Sequence, residues 1–232
     1  MSTVGLVGGR SESMNKTKIE WTDYTWNPIK GLCPVGCWYC YARKIYKRFG
    51  MNPKVRLNLN ELIMPFPKKP SKIFVCSTFE LFHPIADKWR DEIFEVINLE
   101  LRHTFIILTK MPENIDRPMP DNVWLGVSVT GENDFWRAKQ LCGIKAKMKF
   151  VSIEPLLSDD CSGPSFTGPI LDELSWGIIG RLTGHGKKWD PSKETVSRFV
   201  RLFKTRDIPV FLKNNLREIW GAPLIQEFPK TP

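Results

Sequence analysis

The chain has 232 residues, 42% hydrophobic and 25% charged, the balance of a globular protein able to bury one substantial core. No apolar run reaches the roughly 20 residues a membrane helix needs, and residues 1–13 lack the charged start and apolar centre of a signal peptide, so the expected location is cytoplasmic. The formal charge of +9 favours polyanionic partners, nucleic acid among them, with the basic residues in several groups along the chain.

Residues 1–17 are small and polar at first and read as a disordered tail, with Met14 an alternative start. Gly5-Leu6-Val7-Gly8-Gly9-Arg10 is no phosphate loop, since no Lys-Ser/Thr ending follows. Residues 18–21 read as a first strand, broken by Trp26-Asn27-Pro28 and Gly31. From Tyr41 to Phe49 the chain has good helix formers, and Gly50 closes the helix. Residues 64–70 are a proline-rich linker before a second strand at 72–77. A helix at 87–102 follows, with Trp89, Ile93, Phe94, Ile97 and Leu101 at helical spacing as its core face. The third strand is 104–109, then a short helix at 112–115 and a fourth strand at 123–129. Residues 132–142 are helical with Phe135, Ala138 and Leu141 inward, and 149–153 is a fifth strand. A loop at 158–169 stands where the next helix is due. A sixth strand at 174–180, a helix at 192–205 and a seventh strand at 208–212 precede a tail at 221–232.

Apolar strands alternating with helices predict a parallel sheet covered by helices, within one α/β domain over residues 18–220. Six or seven such units fit a partial (β/α)6–7 barrel; a doubly wound open sheet is the alternative.

Six cysteines without an export signal read as reduced thiols or metal ligands. Three of them, Cys33, Cys37 and Cys40, are spaced C-x3-C-x2-C, so one short loop brings three thiolates to one centre. A closed site takes four ligands, and three leave a position open. Zinc is the other reading, with Cys76 or His83 as fourth ligand. Cys76 and Cys142 fit core positions, and Cys161 lies in a loop. Polar residues gather at the strand ends: Ser77 and Thr78, then Thr109 and Lys110, then Ser128, Glu154 and Lys213. In a barrel such ends face one mouth, where the chemistry sits. Glu80 and His83 follow the second strand closely.

The cysteine spacing, with Tyr39 before the last Cys, resembles the cluster loop of the radical SAM superfamily. The segments Ile19-Glu20-Trp21-Thr22-Asp23, Trp26-Asn27-Pro28, Leu81-Phe82-His83-Pro84, Val123-Trp124-Leu125-Gly126-Val127-Ser128, Val151-Ser152-Ile153-Glu154-Pro155 and Phe211-Leu212-Lys213 resemble one uncharacterised, phage-associated radical-SAM-like family. The resemblance implies a TIM-type barrel and a [4Fe-4S] cluster on Cys33, Cys37 and Cys40, with Trp38 and Tyr39 shielding it. It implies S-adenosylmethionine on the open iron, with Ser77, Glu80, Ser128, Glu154 and Lys213 binding that cofactor. A reductant protein would supply the electron, and the substrate is open, with nucleic acid a candidate. The rival expectation is a zinc- or cluster-stabilised nucleic-acid-binding module without catalysis. Three features depart from the family's pattern: relatives usually carry more residues between the first two cysteines, where this chain has the superfamily's shorter spacing; Ser77-Thr78-Phe79-Glu80 stands where many superfamily members carry Gly-Gly-Glu; and Gly180-Arg181-Leu182-Thr183 stands where relatives tend to carry Gly-Gly-Glu-Ser.

Overall fold

The computed structural model describes residues 14–157 and 168–230; most of the loop expected at 158–169, Cys161 and most of the N-terminal tail lie outside them. Eight strands form the main sheet: β1 (Asn15–Lys16), β2 (Tyr24–Trp26), β5 (Lys72–Val75), β6 (Thr104–Thr109), β7 (Val123–Val129), β8 (Met148–Leu156), β9 (Trp176–Arg181) and β10 (Val210–Leu212). They lie side by side in chain order. All neighbours from β2 to β10 are parallel, and β1 alone is antiparallel, to β2. A two-stranded ribbon, β3 (Ile29–Lys30) with β4 (Arg56–Leu57), stands apart.

The strand order decides between the two architectures. A doubly wound sheet reverses direction at a switch point. Here it never reverses, and crossovers of one hand then keep the helices on one side. The seven parallel strands accordingly curl into a half-barrel. Its convex face packs on α3 (Asp87–Leu99), α4 (Phe135–Cys142) and α6 (Lys193–Lys204) through a core that includes Ile93, Phe135, Phe199 and Phe203. Shorter helices are α1 (Tyr41–Arg48), α2 (Leu59–Ile63), α5 (Pro169–Asp172) and α7 (Arg217–Trp220).

Alternate residues of the same strands face the concave side. Phe74, Ile106, Trp124, Met148, Phe150, Trp176, Ile178 and Phe211 form a separate cluster there, completed by Trp21. Trp176 is its hub, with ring centroids of Phe150 at 5.6 Å, Trp124 at 5.8 Å and Phe211 at 6.1 Å. Gly126 makes room for this floor: a Cβ there would lie 2.3 Å from the Phe150 ring. One step further along the strands the same face turns polar, at Ser128, Ser152, Glu154 and Lys213.

Three expectations need correction. Residues 18–21 are no strand; the first parallel strand is β2. The stretch turns back on itself, with the Thr22 N–H donating to the Ile19 carbonyl at 3.3 Å. Trp21 instead spans the open side of the half-barrel, touching Phe74 on β5 at 4.8 Å and Trp176 on β9 at 6.4 Å. Its bulk serves as filling, which alternation alone did not separate from a strand residue. Leu101 is 70% exposed, because α3 ends at Leu99 and drops it from the helical face. The fold also reaches beyond residues 18–220 at both ends. Met14 is buried, and the Glu227 N–H donates to the Val210 carbonyl at 2.9 Å while Phe228 packs on Trp176 and Phe211.

Candidate functional site

The cysteine loop runs from the β3–β4 ribbon to α1, and Cys40 occupies the N-cap position of that helix. Local bonds hold it in shape. The Cys40 N–H donates to the Cys37 carbonyl at 3.1 Å, and Arg43 Nη2 donates to the Cys33 carbonyl at 2.7 Å. Gly36 adopts φ +69°, a turn conformation that a side chain would strain. All three thiols are free and partly buried. Burial is the main cause that raises the Cys33 thiol above its ordinary value. The Tyr39 phenol is pushed beyond the usual tyrosine range, first by burial and then by Cys37 beside it.

The loop borders a cavity of about 870 Å³ at the C-terminal ends of the strands. That lies within the ~300–1,000 Å³ span of small-molecule sites. Cys33, Cys37 and Cys40 line it, and so do Ser77, Glu80, Ser128, Glu154 and Lys213. The topology explains the convergence: neighbouring parallel strands end at one rim, and β7 and β8 pair Ser128 with Ser152 in register. β8 continues past its expected end at residue 153, and its register with β9 shifts between Ile153 and Leu156. Such an irregularity re-aims side chains, and Glu154 lies within it.

The polar groups divide by how they are held. Lys213 is ion-paired with Glu154 and lies 3.8 Å from Glu20. Gly180 lies against the pair, where a Cβ would come 3.0 Å from Lys213 Cδ and 3.1 Å from the Glu154 carboxyl. Glu80 is buried, and its carboxylate accepts from the Thr109 hydroxyl at 2.6 Å, the Lys110 N–H at 2.8 Å and the Phe82 N–H at 3.2 Å. Burial raises its pKa and these bonds oppose the rise. Glu80 thus braces the ends of β5 and β6. Ser77 donates to Asn27 Oδ1 at 3.0 Å, which ties the turn after β5 to the segment after β2.

His83 lies away from the cavity lining, and its Nδ1 accepts from the Ile85 N–H at 3.2 Å, capping its own short turn. Cys76 is buried at the end of β5, and its thiol is pushed up to about 12 by burial. Lys110 lines the cavity as expected, and Thr109 serves Glu80.

Other residues join the site. Ser152 Oγ and Trp21 Nε1 are buried without a hydrogen-bond partner among the described residues, and both residues line the cavity. Ser152 was legible, because it precedes Glu154 by two and shares its strand face. Nothing local marks Trp21 or Glu20, which reach the site from the crossing segment. In the altered stretch after Gly180, Arg181 is tied to Asp190 at 2.7 Å and Glu218 at 2.9 Å.

These groups set three thiols beside a polar-rimmed cavity. The thiols are soft ligands and one short of a closed set. The cavity has room for a nucleoside-sized molecule, and two buried polar atoms in its lining have no hydrogen-bond partner among the described residues. Among the described residues, no three His, Cys, Asp or Glu side chains stand together as a metal site.

A family profile described as a protein of unknown function, DUF5131, matches residues 16–216. No curated protein and no solved structure matches the chain. The matched span runs from β1 to the segment that follows Lys213 and takes in the cysteine loop and every polar strand end of the cavity, so the chain belongs to the DUF5131 family.

Proposed function

We propose that this chain is a radical SAM enzyme on a partial TIM-type barrel, with Cys33, Cys37 and Cys40 holding a [4Fe-4S] cluster. One observation carries the reading: the three-Cys loop and five polar residues at the ends of four strands, β5, β7, β8 and β10, line one cavity. When bound, the cluster and S-adenosylmethionine supply electron transfer and hydrogen abstraction from a substrate. The chain's own residues bind and orient. Lys213, poised between Glu154 and Glu20, offers a cation to a carboxylate group. Ser128 and Ser152 offer hydroxyls, and Trp21 offers an indole N–H from across the opening. Glu80 keeps the β5 and β6 ends fixed, and the aromatic floor closes the cavity against water from below. A cytoplasmic setting and a reductant protein belong to the same proposal. No helix among the described residues is long and apolar enough to cross a membrane.

The test is anaerobic reconstitution of the full chain with iron and sulfide. About four irons per chain are expected, as one cubane requires, with cleavage of S-adenosylmethionine on reduction and loss of both in Cys37→Ala. Tight zinc with no cluster would sink the proposal.

A further inference from the structure

Residues 24–60 carry Lys30, Arg43, Lys44, Lys47, Arg48, Lys54 and Arg56 and not one Asp or Glu, so +7 of the chain's +9 falls in this stretch. Three of these cations are committed, Lys30 to Glu61, Arg43 to the Cys33 carbonyl and Arg56 to the Lys54 carbonyl. Lys44, Lys47 and Arg48 lie on α1 itself. That helix buries Ala42 and Tyr46 on one side. Its other side is exposed and unusually apolar: Trp38, Tyr41, Ile45 and Phe49 are 54%, 51%, 40% and 66% exposed. Steps of four residues set Tyr41, Ile45 and Phe49 in one stripe along the helix, and Trp38 stands exposed on the loop before it. Lys44, Lys47 and Arg48 stand exposed among them, and the Arg48 guanidinium lies 5.3 Å over the Phe49 ring.

The stripe continues across the cavity mouth. Trp38 meets Trp189 at 5.0 Å and His185 at 5.3 Å. Lys44 Nζ reaches His185 Nε2 at 2.7 Å, and Lys188 lies 5.1 Å over Trp189. Tyr41, Lys44 and Gly184 belong to both the stripe and the cavity lining.

Rings alternating with uncompensated cations have one matching ligand chemistry. Phosphates pair with the cations and exposed base faces stack on the rings, about 1–3 kcal/mol per stacked base. A duplex hides its base faces. A second copy of this surface would set positive charge against positive charge. An anionic membrane surface would meet the cations but offers no flat ring faces for Trp38 and Trp189 to stack on. We propose that α1, the loop before it and residues 184–189 form a docking platform for a single-stranded polynucleotide laid across the cavity mouth. That this strand is the substrate rests on the reading of the cavity above; its binding does not.

The test is fluorescence anisotropy of labelled oligo(dT) and oligo(rU), each about 15 nucleotides, and of a duplex of equal length, with the full chain free of cluster. Single strands should bind more tightly than duplex. The slope of log K against log salt should be near −3 if about four phosphates are met. Lys47→Glu with Arg48→Glu should weaken binding at least about tenfold and flatten the slope by about 1.4. Phe49→Ala with Trp189→Ala should weaken it about tenfold or more while keeping the slope. Lys145→Glu with Lys147→Glu, before the opposite end of β8, should change affinity less than about twofold. Circular dichroism and melting confirm that each variant is folded. The proposal is overturned by absence of strand binding, by equal affinity for duplex, or by a control variant as damaging as the α1 pair. It is also overturned if α1 reversal abolishes anionic-vesicle binding or self-association instead. Strand binding by protein that cannot cleave S-adenosylmethionine keeps the platform and refutes the proposed enzyme; cleavage without strand binding does the reverse.

Discussion

Replacing Glu80 by alanine should destabilise the fold, although Glu80 lines the cavity. The substitution leaves three inward donors without an acceptor: the Thr109 hydroxyl and the N–H groups of Lys110 and Phe82. An unsatisfied buried donor costs about 1–3 kcal/mol. Against that stands the relief of burying a carboxylate, which burial already disfavours in its charged form. The net expectation is a loss of about 2–5 kcal/mol. Thr109→Val removes one charge-assisted bond and also strips the Met111 N–H of its acceptor, which lies at 2.9 Å. That should cost about 2–3 kcal/mol. Because Thr109 acts through Glu80, the double variant should cost less than the two singles together by about 1 kcal/mol. The assay is urea unfolding of the full chain, comparing midpoints at constant slope. A Glu80→Ala variant within about 0.5 kcal/mol of the parent, or a strictly additive double variant, would refute the brace and return Glu80 to a ligand-contact role alone.

Gly126→Ala should cost about 1–3 kcal/mol by forcing the Phe150 ring aside, and adding Phe150→Leu should recover part of that loss in the same unfolding assay. Lys213→Met leaves Glu154 and Glu20 facing one another without their cation. A loss of about 1–3 kcal/mol is expected, since the pair is only partly shielded from water, and Lys213→Met with Glu154→Leu should regain stability on denaturation. Glu227 has its pKa lowered, chiefly by its hydrogen bond from Lys204. Its contribution is therefore present above the ordinary carboxylate pKa and lost as pH falls through the depressed folded value. Melting temperatures of parent and Glu227→Gln should differ at neutral pH and converge in acid; a constant gap would contradict the linkage.

Most of the repeating framework was legible along the chain. β6 and β7 lie where apolar runs between turn signals put them, and α3, α4 and α6 within three residues of their expected ends, because continuous apolarity and helical spacing are local signals. The C-x3-C-x2-C loop and the polar residue closing each strand were equally legible, since each is a matter of residue type and spacing. That they share one mouth was legible only on the condition of a barrel, one of the two architectures the alternation of strands and helices allowed. The one-directional strand order, set by packing between residues far apart in the chain, curled the sheet and brought Ser128, Glu154 and Lys213 to the rim beside the cysteines. The same long-range packing turned residues 18–21 from an expected strand into a crossing plug, because a Trp that fills a concave floor and one that lines a strand read alike along the chain. It also gave Glu80 to Thr109 and two backbone N–H groups, for a carboxylate leaving water takes the nearest donors, and only the tertiary fold says which those are.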